Sequence, residues 1–180
     1  IFSCCLLSGS EKPNIIIIFT DDQGYADLGS YGSKTNKTPR LDQLAKEGML
    51  FNSFYTQTVC GPSRSALLTG RYPCRSKGWG MPAEEITFAE LIRGAGYQTA
   101  CIGKWDVSNR KPIIERMPNA QGFDYFFGAL GANDGGTVKF HENNEAAGSS
   151  NDMGELTTLY TDKSIDFLKN KRDPKKPFVL

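Results

Sequence analysis

The chain lacks an excess of charge of either sign, because 21 Lys and Arg residues face 20 Asp and Glu residues and leave a formal net charge of +1. Such a balance gives no indication of a nucleic-acid partner or of binding to a charged membrane surface. No stretch of the sequence is apolar over the length that a bilayer span requires. Histidine is scarce as well, since His141 is the single one, and its polar neighbours predict a solvent-exposed loop.

The two ends of the chain suggest processing and continuation. Ile1 to Leu7 is short and apolar and is followed by Ser8-Gly9-Ser10, a pattern typical of the tail of a secretory signal peptide. Residues 1–10 are therefore predicted to be a signal-peptide remnant and the protein to be secreted or periplasmic; the alternative is an irregular N-terminal segment. Phe178-Val179-Leu180 resembles the beginning of a strand, so we expect the chain to be the N-terminal part of a longer protein.

Apolar runs and capping signals alternate along the chain. Residues 112–151 are rich in Gly, Asn and Pro and are predicted to be mostly loop, with packed aromatic turns around residues 123–127. Strands alternating with helices predict an α/β domain with a mainly parallel sheet. The predicted strands are Asn14–Thr20, Met49–Thr56, Gln98–Ile102 and the run from Phe178, and the predicted helices start at Pro39, Pro62, Phe88 and Leu156.

The segment Val59–Arg71, with the sequence VCGPSRSALLTGR, is the most informative stretch of the chain. Pro62 suits the first turn of a helix and Gly70 its end, so Cys60 is expected just before a helix N-terminus. Unpaired N–H groups and the helix dipole favour an anion there. Arg64, one turn into the helix, can bring its guanidinium group back toward residue 60. The plain alternative is a buried cysteine before an ordinary helix.

Two adjacent carboxylates, Asp21 and Asp22, follow the first predicted strand directly. In open α/β sheets ligands gather at the carboxyl ends of the strands. Neighbouring carboxylates repel each other unless a cation intervenes, and hard oxygen ligands of this kind suit Ca²⁺ or Mg²⁺. The pair is therefore predicted to bind a divalent cation, with an acidic surface turn as the alternative.

These two segments resemble the type I sulfatases, whose signature is C-x-P-S-R followed by L-T-G-R. The resemblance runs from about Pro13 to the C-terminus and implies an alkaline-phosphatase-like α/β/α sandwich, truncated at its C-terminal end, with residues 11–180 as the N-terminal part of the catalytic domain. It also implies that a maturation enzyme oxidises Cys60 to formylglycine, whose hydrate is the nucleophile. Asp21, Asp22 and residue 60 would bind one cation, usually Ca²⁺, and the remaining ligands and the general acid would lie beyond residue 180.

Gly103-Lys104-Trp105-Asp106 follows the third predicted strand, where sulfatases usually have G-K-W-H. The resemblance implies that Lys104 contacts the sulfate. Asp106 departs from the pattern, because the usual histidine hydrogen-bonds the formylglycine hydrate. A carboxylate at this position can accept a proton from that hydrate, and it can instead pair with Lys104 or Arg64, while its charge opposes a nearby sulfate.

The predicted reaction is the hydrolysis of a sulfate ester by catalytic residues Cys60, Arg64, Lys104 and Asp106. The predicted substrate is a sulfated small molecule or carbohydrate. Two alternatives stay open: a phosphodiester or phosphonate hydrolase on the same scaffold, and a non-catalytic protein that binds sulfated glycans. The other two cysteines outside the N-terminal segment, Cys74 and Cys101, have the option of pairing in an oxidising compartment and are treated as packing residues.

Overall fold

The computed structural model describes residues 12–180, so the predicted signal-peptide remnant lies outside the described residues. A five-stranded sheet in the order β4-β3-β2-β1-β5 forms the centre of the molecule. Strand β1 runs parallel to both of its neighbours, whereas β2, β3 and β4 are joined as antiparallel pairs. The strands are β1 (Gln98–Lys104), β2 (Tyr125–Ala129), β3 (Val138–Glu142), β4 (Glu145–Ser150) and β5 (Phe178–Val179).

Helices cover both faces of this sheet. They are α1 (Pro39–Glu47), α2 (Cys60–Thr69), α3 (Pro73–Ser76), α4 (Phe88–Gly94) and α5 (Leu156–Asp166), which continues into a π-helical turn at Phe167–Lys171. Short 3-10 turns lie at Tyr25–Asp27, Gly29–Tyr31, Ile114–Arg116, Pro118–Gln121 and Met153–Glu155. None of the helices described within residues 12–180 combines the length and apolar character needed to cross a membrane.

The alternation of side chains along β2 divides the core into two layers. Phe126 packs with Leu68 of α2 and Ala89 of α4 on one face. Tyr125 and Phe127 point to the other face and pack with α5. Successive strand residues face opposite sides, so one strand supplies both layers. This arrangement confirms the predicted α/β class and its α/β/α layering.

Two of the predicted helices form around the predicted signals. Helix α4 begins with a capping box in which the Thr87 hydroxyl accepts from the Glu90 amide at 3.2 Å and the Glu90 carboxylate accepts from the Thr87 amide at 2.8 Å. Helix α2 ends at Gly70, which has the left-handed φ of 65°. It begins at Cys60 itself, slightly earlier than expected, with Val59 as the residue before the first turn.

The prediction of a strand at Met49–Thr56 is wrong. This stretch has irregular backbone, and its large apolar side chains are exposed, with Tyr55 80% accessible. Its backbone is bonded to phenol groups instead, since Tyr25 and Tyr31 donate to the carbonyls of Phe54 and Phe51 at 2.6 Å each. Strand propensity produces a strand only where a neighbour offers a hydrogen-bonding edge, and none of the described strands lies beside this stretch.

The first predicted strand forms only in part. Ile15 and Ile17 donate to the carbonyls of Phe178 and Leu180 at 2.9 and 2.7 Å, which places this run parallel to β5 with a single bridge at Ile15. The expectation that both faces are covered is wrong, because Ile18 is 76% exposed. Within residues 12–180, backbone pairing supports the run along one edge only.

The prediction of mostly loop for residues 112–151 is also wrong, because β2, β3 and β4 all lie there. The aromatic run that was expected to form turns is β2. The Asn-rich segment after β3 is the two-residue connection at residues 143–144 of a hairpin, with Asn143 at a positive φ of 53°. His141 is consequently half-buried in β3 and not in an exposed loop, and burial lowers the pKa of its imidazole.

Both remaining cysteines are unpaired in the described structure. Cys101 lies in β1 and packs against the core, as predicted, and burial raises the pKa of its thiol to about 12. Cys74 is exposed as the second residue of α3 and does not pack in the core, which corrects the prediction. Cys74, three residues after Arg71, is therefore accessible to solvent.

Gly122 is the position where the fold tolerates a side chain least. Its φ is 95°, and a Cβ atom there would overlap the Glu90 amide nitrogen at the start of α4. We expect Gly122→Ala to lower the free energy of unfolding by about 3 kcal/mol, combining backbone strain with overpacking. Gly94→Ala is the matched control, since a Cβ there meets no atom within 4 Å. Urea denaturation of both variants measures the difference, and equal stabilities would contradict the prediction.

Candidate active site

Three of the predicted site residues converge at the carboxyl end of β1. Lys104 is the last residue of β1, and its Nζ donates to Asp21 Oδ2 at 2.8 Å. Arg64 reaches the same carboxylate from α2, with Nη2 3.4 Å from Asp21 Oδ1, and its Nη1 donates to the Lys104 carbonyl at 2.6 Å. The structure thus joins α2, β1 and the segment after Thr20 through one carboxylate.

Opposite charges and hydrogen bonds keep this cluster ionised against the effect of burial. Partial burial acts to raise the pKa of Asp21, but the hydrogen bond and charge of Lys104 and the charge of Arg64 outweigh it and leave the pKa below its ordinary value. Burial acts to lower the pKa of Lys104, and the Asp21 carboxylate outweighs this effect and raises it. The Lys104 side chain is only 5% exposed, so its ammonium depends on these partners for its charge.

Cys60 lies beside the cluster as the first residue of α2, one helical turn before Arg64. It is half-buried and lies near enough to Lys104 to contribute electrostatically to the raised pKa of that lysine. The residue before it, Val59, provides no side-chain cap for the helix. The positive end of the helix dipole therefore has no side-chain cap from Val59, and next to residue 60 it favours an anion.

The predicted metal ligands are only partly brought together. Asp21 is exposed but bonds Lys104 and Arg64, whereas Asp22 is exposed and has a left-handed backbone with φ of 51°. Across residues 12–180, no three His, Cys, Asp or Glu side chains gather as a set able to hold a metal ion. The carboxylate oxygens have the right chemistry for a hard cation, but they are too few on their own. The metal-binding role of Asp21, Asp22 and Cys60 stays a prediction.

Asp106 is placed differently from the other predicted residues. It is fully buried, with a left-handed φ of 55°, and lies 3.9 Å from Lys104 Nζ, so one of the pairings considered from the sequence is present. Its shorter contacts are with residues that the sequence analysis missed. Arg110 Nε donates to Asp106 Oδ1 at 2.9 Å and Trp79 Nε1 donates to Oδ2 at 3.3 Å. The i, i+4 spacing to Arg110 was a weak signal, and nothing in the sequence indicated Trp79.

A cavity of about 880 Å³ opens at this cluster. Asp21, Arg64 and Lys104 line its polar end, and apolar side chains line most of the remainder. Arg64 Nε is buried without a hydrogen-bond partner among the residues that the structure describes. An unpaired buried donor is costly, so the described residues do not fully satisfy this guanidinium group.

Comparison with known proteins identifies relatives of the whole described region. The family model described as Sulfatase matches residues 13–180. The N-acetylgalactosamine-6-sulfatase of Sus scrofa is 34% identical over an alignment that covers 94% of this chain and 38% of the relative. Human arylsulfatase A is 43% identical over 72% of this chain and 28% of its own length. The chain thus spans well under half the length of these relatives.

Solved structures show the same fold. The structure of Ps i-CgsB in complex with k-i-k-neocarrahexaose superimposes with a TM-score of 0.82 at 30% identity, covering 94% of this chain and 44% of that one. The structure of BT4656 in complex with its substrate D-glucosamine-2-N,6-O-disulfate gives a TM-score of 0.78 at 32% identity, covering 94% and 33%.

These similarities confirm the α/β fold that the resemblance implied. The family match extends over nearly the entire described region, and it includes the segment at Cys60 and the segment at Asp21. The chain therefore belongs to the sulfatase family.

Proposed function

We propose that the chain carries the nucleophile end of a sulfatase active site, which hydrolyses R–O–SO₃⁻ to R–OH and sulfate, with residue 60 oxidised from cysteine to formylglycine by a maturation enzyme. The observation that carries this proposal is the convergence of Arg64 and Lys104 beside residue 60, at a helix N-terminus without a side-chain cap. A tetrahedral anion is the ligand that such a set of donors and charges favours.

Formylglycine at position 60 would supply a hydrated aldehyde as oxygen nucleophile toward the sulfur, a chemistry that a thiol does not offer. The chain's own residues supply the electrostatics. Lys104 presents an ammonium held in the charged state, and Arg64 presents a guanidinium group anchored on the Lys104 carbonyl. Fixed positive groups of this kind stabilise charge that develops on sulfate oxygens in the transition state.

The donor chemistry at the strand end fits a hard divalent cation. Asp21 and Asp22 would hold it, with Ca²⁺ as the proposed ion and Mg²⁺ as the other possibility. Such a cation would act as a Lewis acid toward the nucleophile and the sulfate. Ca²⁺ takes six to eight oxygen ligands, so we propose that donors additional to these carboxylates complete the site.

A carbohydrate sulfate is the proposed substrate class. The relatives include an N-acetylgalactosamine-6-sulfatase, and BT4656 was solved with a disulfated glucosamine as its substrate. The apolar run before Ser10 supports a secreted or periplasmic location. Neither a phosphodiester or phosphonate hydrolase nor a non-catalytic glycan-binding protein is favoured by these relatives, which are named as sulfatases.

The first test concerns the chemical state of residue 60. After co-expression with a formylglycine-generating enzyme, the tryptic peptide Glu47–Arg64 is expected to show the mass change that replaces the thiol by an aldehyde. The peptides containing Cys74 and Cys101 are internal controls and should keep their thiols. Cys60→Ala is expected to abolish hydrolysis of an aryl sulfate while melting like the parent protein. Active protein whose residue 60 is entirely unmodified cysteine would overturn the proposal.

The second test concerns the cation. Asp21→Asn is expected to weaken Ca²⁺ binding about tenfold or more, because it removes a charged oxygen ligand, and Asp22→Asn should act in the same direction. Asp162→Asn, an exposed carboxylate on α5, is the matched control. Isothermal titration calorimetry with Ca²⁺ measures the affinities. Unchanged affinity in both site variants would show that the cation is bound elsewhere or not at all.

A further inference from the structure

A second concave surface lies beside the candidate active site. Trp79, Asn109 and Arg110 line an open depression of about 350 Å³. The two segments that carry these residues are fastened together, since the Asn109 amide donates to the Trp79 carbonyl at 2.9 Å and Gly80 forms an antiparallel bridge with Ser108. An indole face, an amide and a guanidinium group therefore meet in one fixed depression.

Arg110 is held at one edge of its guanidinium group and open at the other. Its Nε donates to the fully buried Asp106 carboxylate at 2.9 Å, and its aliphatic stem lies against Gly131. The side chain is nevertheless 51% exposed. Its two terminal nitrogens make no hydrogen bond to any group in residues 12–180, so the four N–H donors that they carry have no partner there.

The Asp106 carboxylate links this depression to the cluster of Asp21, Arg64 and Lys104. Asp106 accepts from the Trp79 indole at 3.3 Å and lies 3.9 Å from Lys104 Nζ. The Trp79 ring covers Gly61, where a Cβ atom would overlap it, and Gly61 follows residue 60 directly. A ligand whose sulfate lies at residue 60 therefore has this depression next to it.

The backbone of this region is strained. Asp106, Asn109 and Arg110 all have left-handed φ values, of 55°, 54° and 58°. A left-handed backbone is unfavourable for residues that carry a side chain, and strain of this kind concentrates at ligand-binding sites. Three left-handed residues fall within residues 106–110, and this segment contacts Trp79 through the Asp106 carboxylate.

We propose that Trp79, Asn109 and Arg110 form a recognition pocket for a second anionic group, a sulfate or a carboxylate, on the saccharide whose sulfate ester is cleaved. The inference rests on the proposed function and specifies its substrate class. The guanidinium group binds an oxyanion through paired N–H donors, the indole face packs on a sugar ring and the amide bonds to hydroxyl groups. In this arrangement Asp106 is a positioning residue that orients Arg110 and Trp79.

The test uses a variant that keeps the fold of this region. In Arg110→Gln the side-chain amide nitrogen can take the place of Nε and donate to Asp106, while the two terminal nitrogens and the charge are lost. Lys111→Gln is the matched control, because it removes the same charge from the exposed neighbouring residue. Both changes are made in a Cys60→Ala background so that binding is measured without turnover, and thermal melting checks that each variant folds.

Calorimetry then compares three probes: glucosamine 6-O-sulfate, D-glucosamine-2-N,6-O-disulfate, and a 6-O-sulfated disaccharide that contains a uronic acid. We expect at least one of the two doubly anionic probes to bind about tenfold more tightly than the singly sulfated sugar, as one charge-assisted hydrogen-bonded pair provides. The probe that binds more tightly than the singly sulfated sugar shows whether the second group is a sulfate or a carboxylate. Arg110→Gln should abolish the preference and Lys111→Gln should retain it.

Two results would count against the pocket alone: equal affinity for all three probes, or a preference that survives in Arg110→Gln. A general loss of affinity for all probes in Arg110→Gln, with the ratio between them unchanged, would show a structural role only and would also overturn the proposal. Failure of the singly sulfated sugar and both other probes to bind would count against the carbohydrate-sulfatase function itself, which is tested separately by the state of residue 60.

Discussion

The ammonium group of Lys104 is the charge on which the site depends. Its side chain is almost completely buried at the end of β1, and a buried cation is stable only with anionic partners close by. Asp21 provides the nearest oxygen at 2.8 Å and Asp106 a second carboxylate at 3.9 Å. Each comes from a different part of the chain, so satisfying this one charge fixes the segment after Thr20 and the turn after β1 relative to each other.

Arg64 extends the same constraint to α2. Its guanidinium group bonds the Lys104 carbonyl at 2.6 Å and the Asp21 carboxylate at 3.4 Å, and its planar set of donors allows both contacts at once. Helix α2 is thereby held with its first residue, Cys60, against the end of β1. Because the helix is fixed through a residue one turn into it, its first turn needs no side-chain cap, and Val59 provides none.

Local features of the site were predictable from the sequence, and features that depend on pairing were not. The turn between Cys60 and Arg64, the capping box at Thr87 and the end of α2 at Gly70 each follow from a few neighbouring residues. Met49–Thr56 has the composition of a strand but no strand edge beside it among the described residues. Tyr125 to Phe127 formed a strand because β1 and β3 lie on either side, which the Gly- and Asn-rich flanks concealed.

The contacts of Asp106 likewise depend on residues outside its own motif, so its role could not be predicted from the sequence. The sequence identified Asp106 as a departure from the usual histidine. It left two roles open, accepting a proton or pairing with a cation. The structure gives both of its oxygens donors from outside the motif, Arg110 on Oδ1 and Trp79 on Oδ2. No hydrogen bond within residues 12–180 joins Asp106 to residue 60, whereas Arg110 and Trp79 both bond its carboxylate directly. The contacts therefore favour orienting these two donors over proton transfer from residue 60.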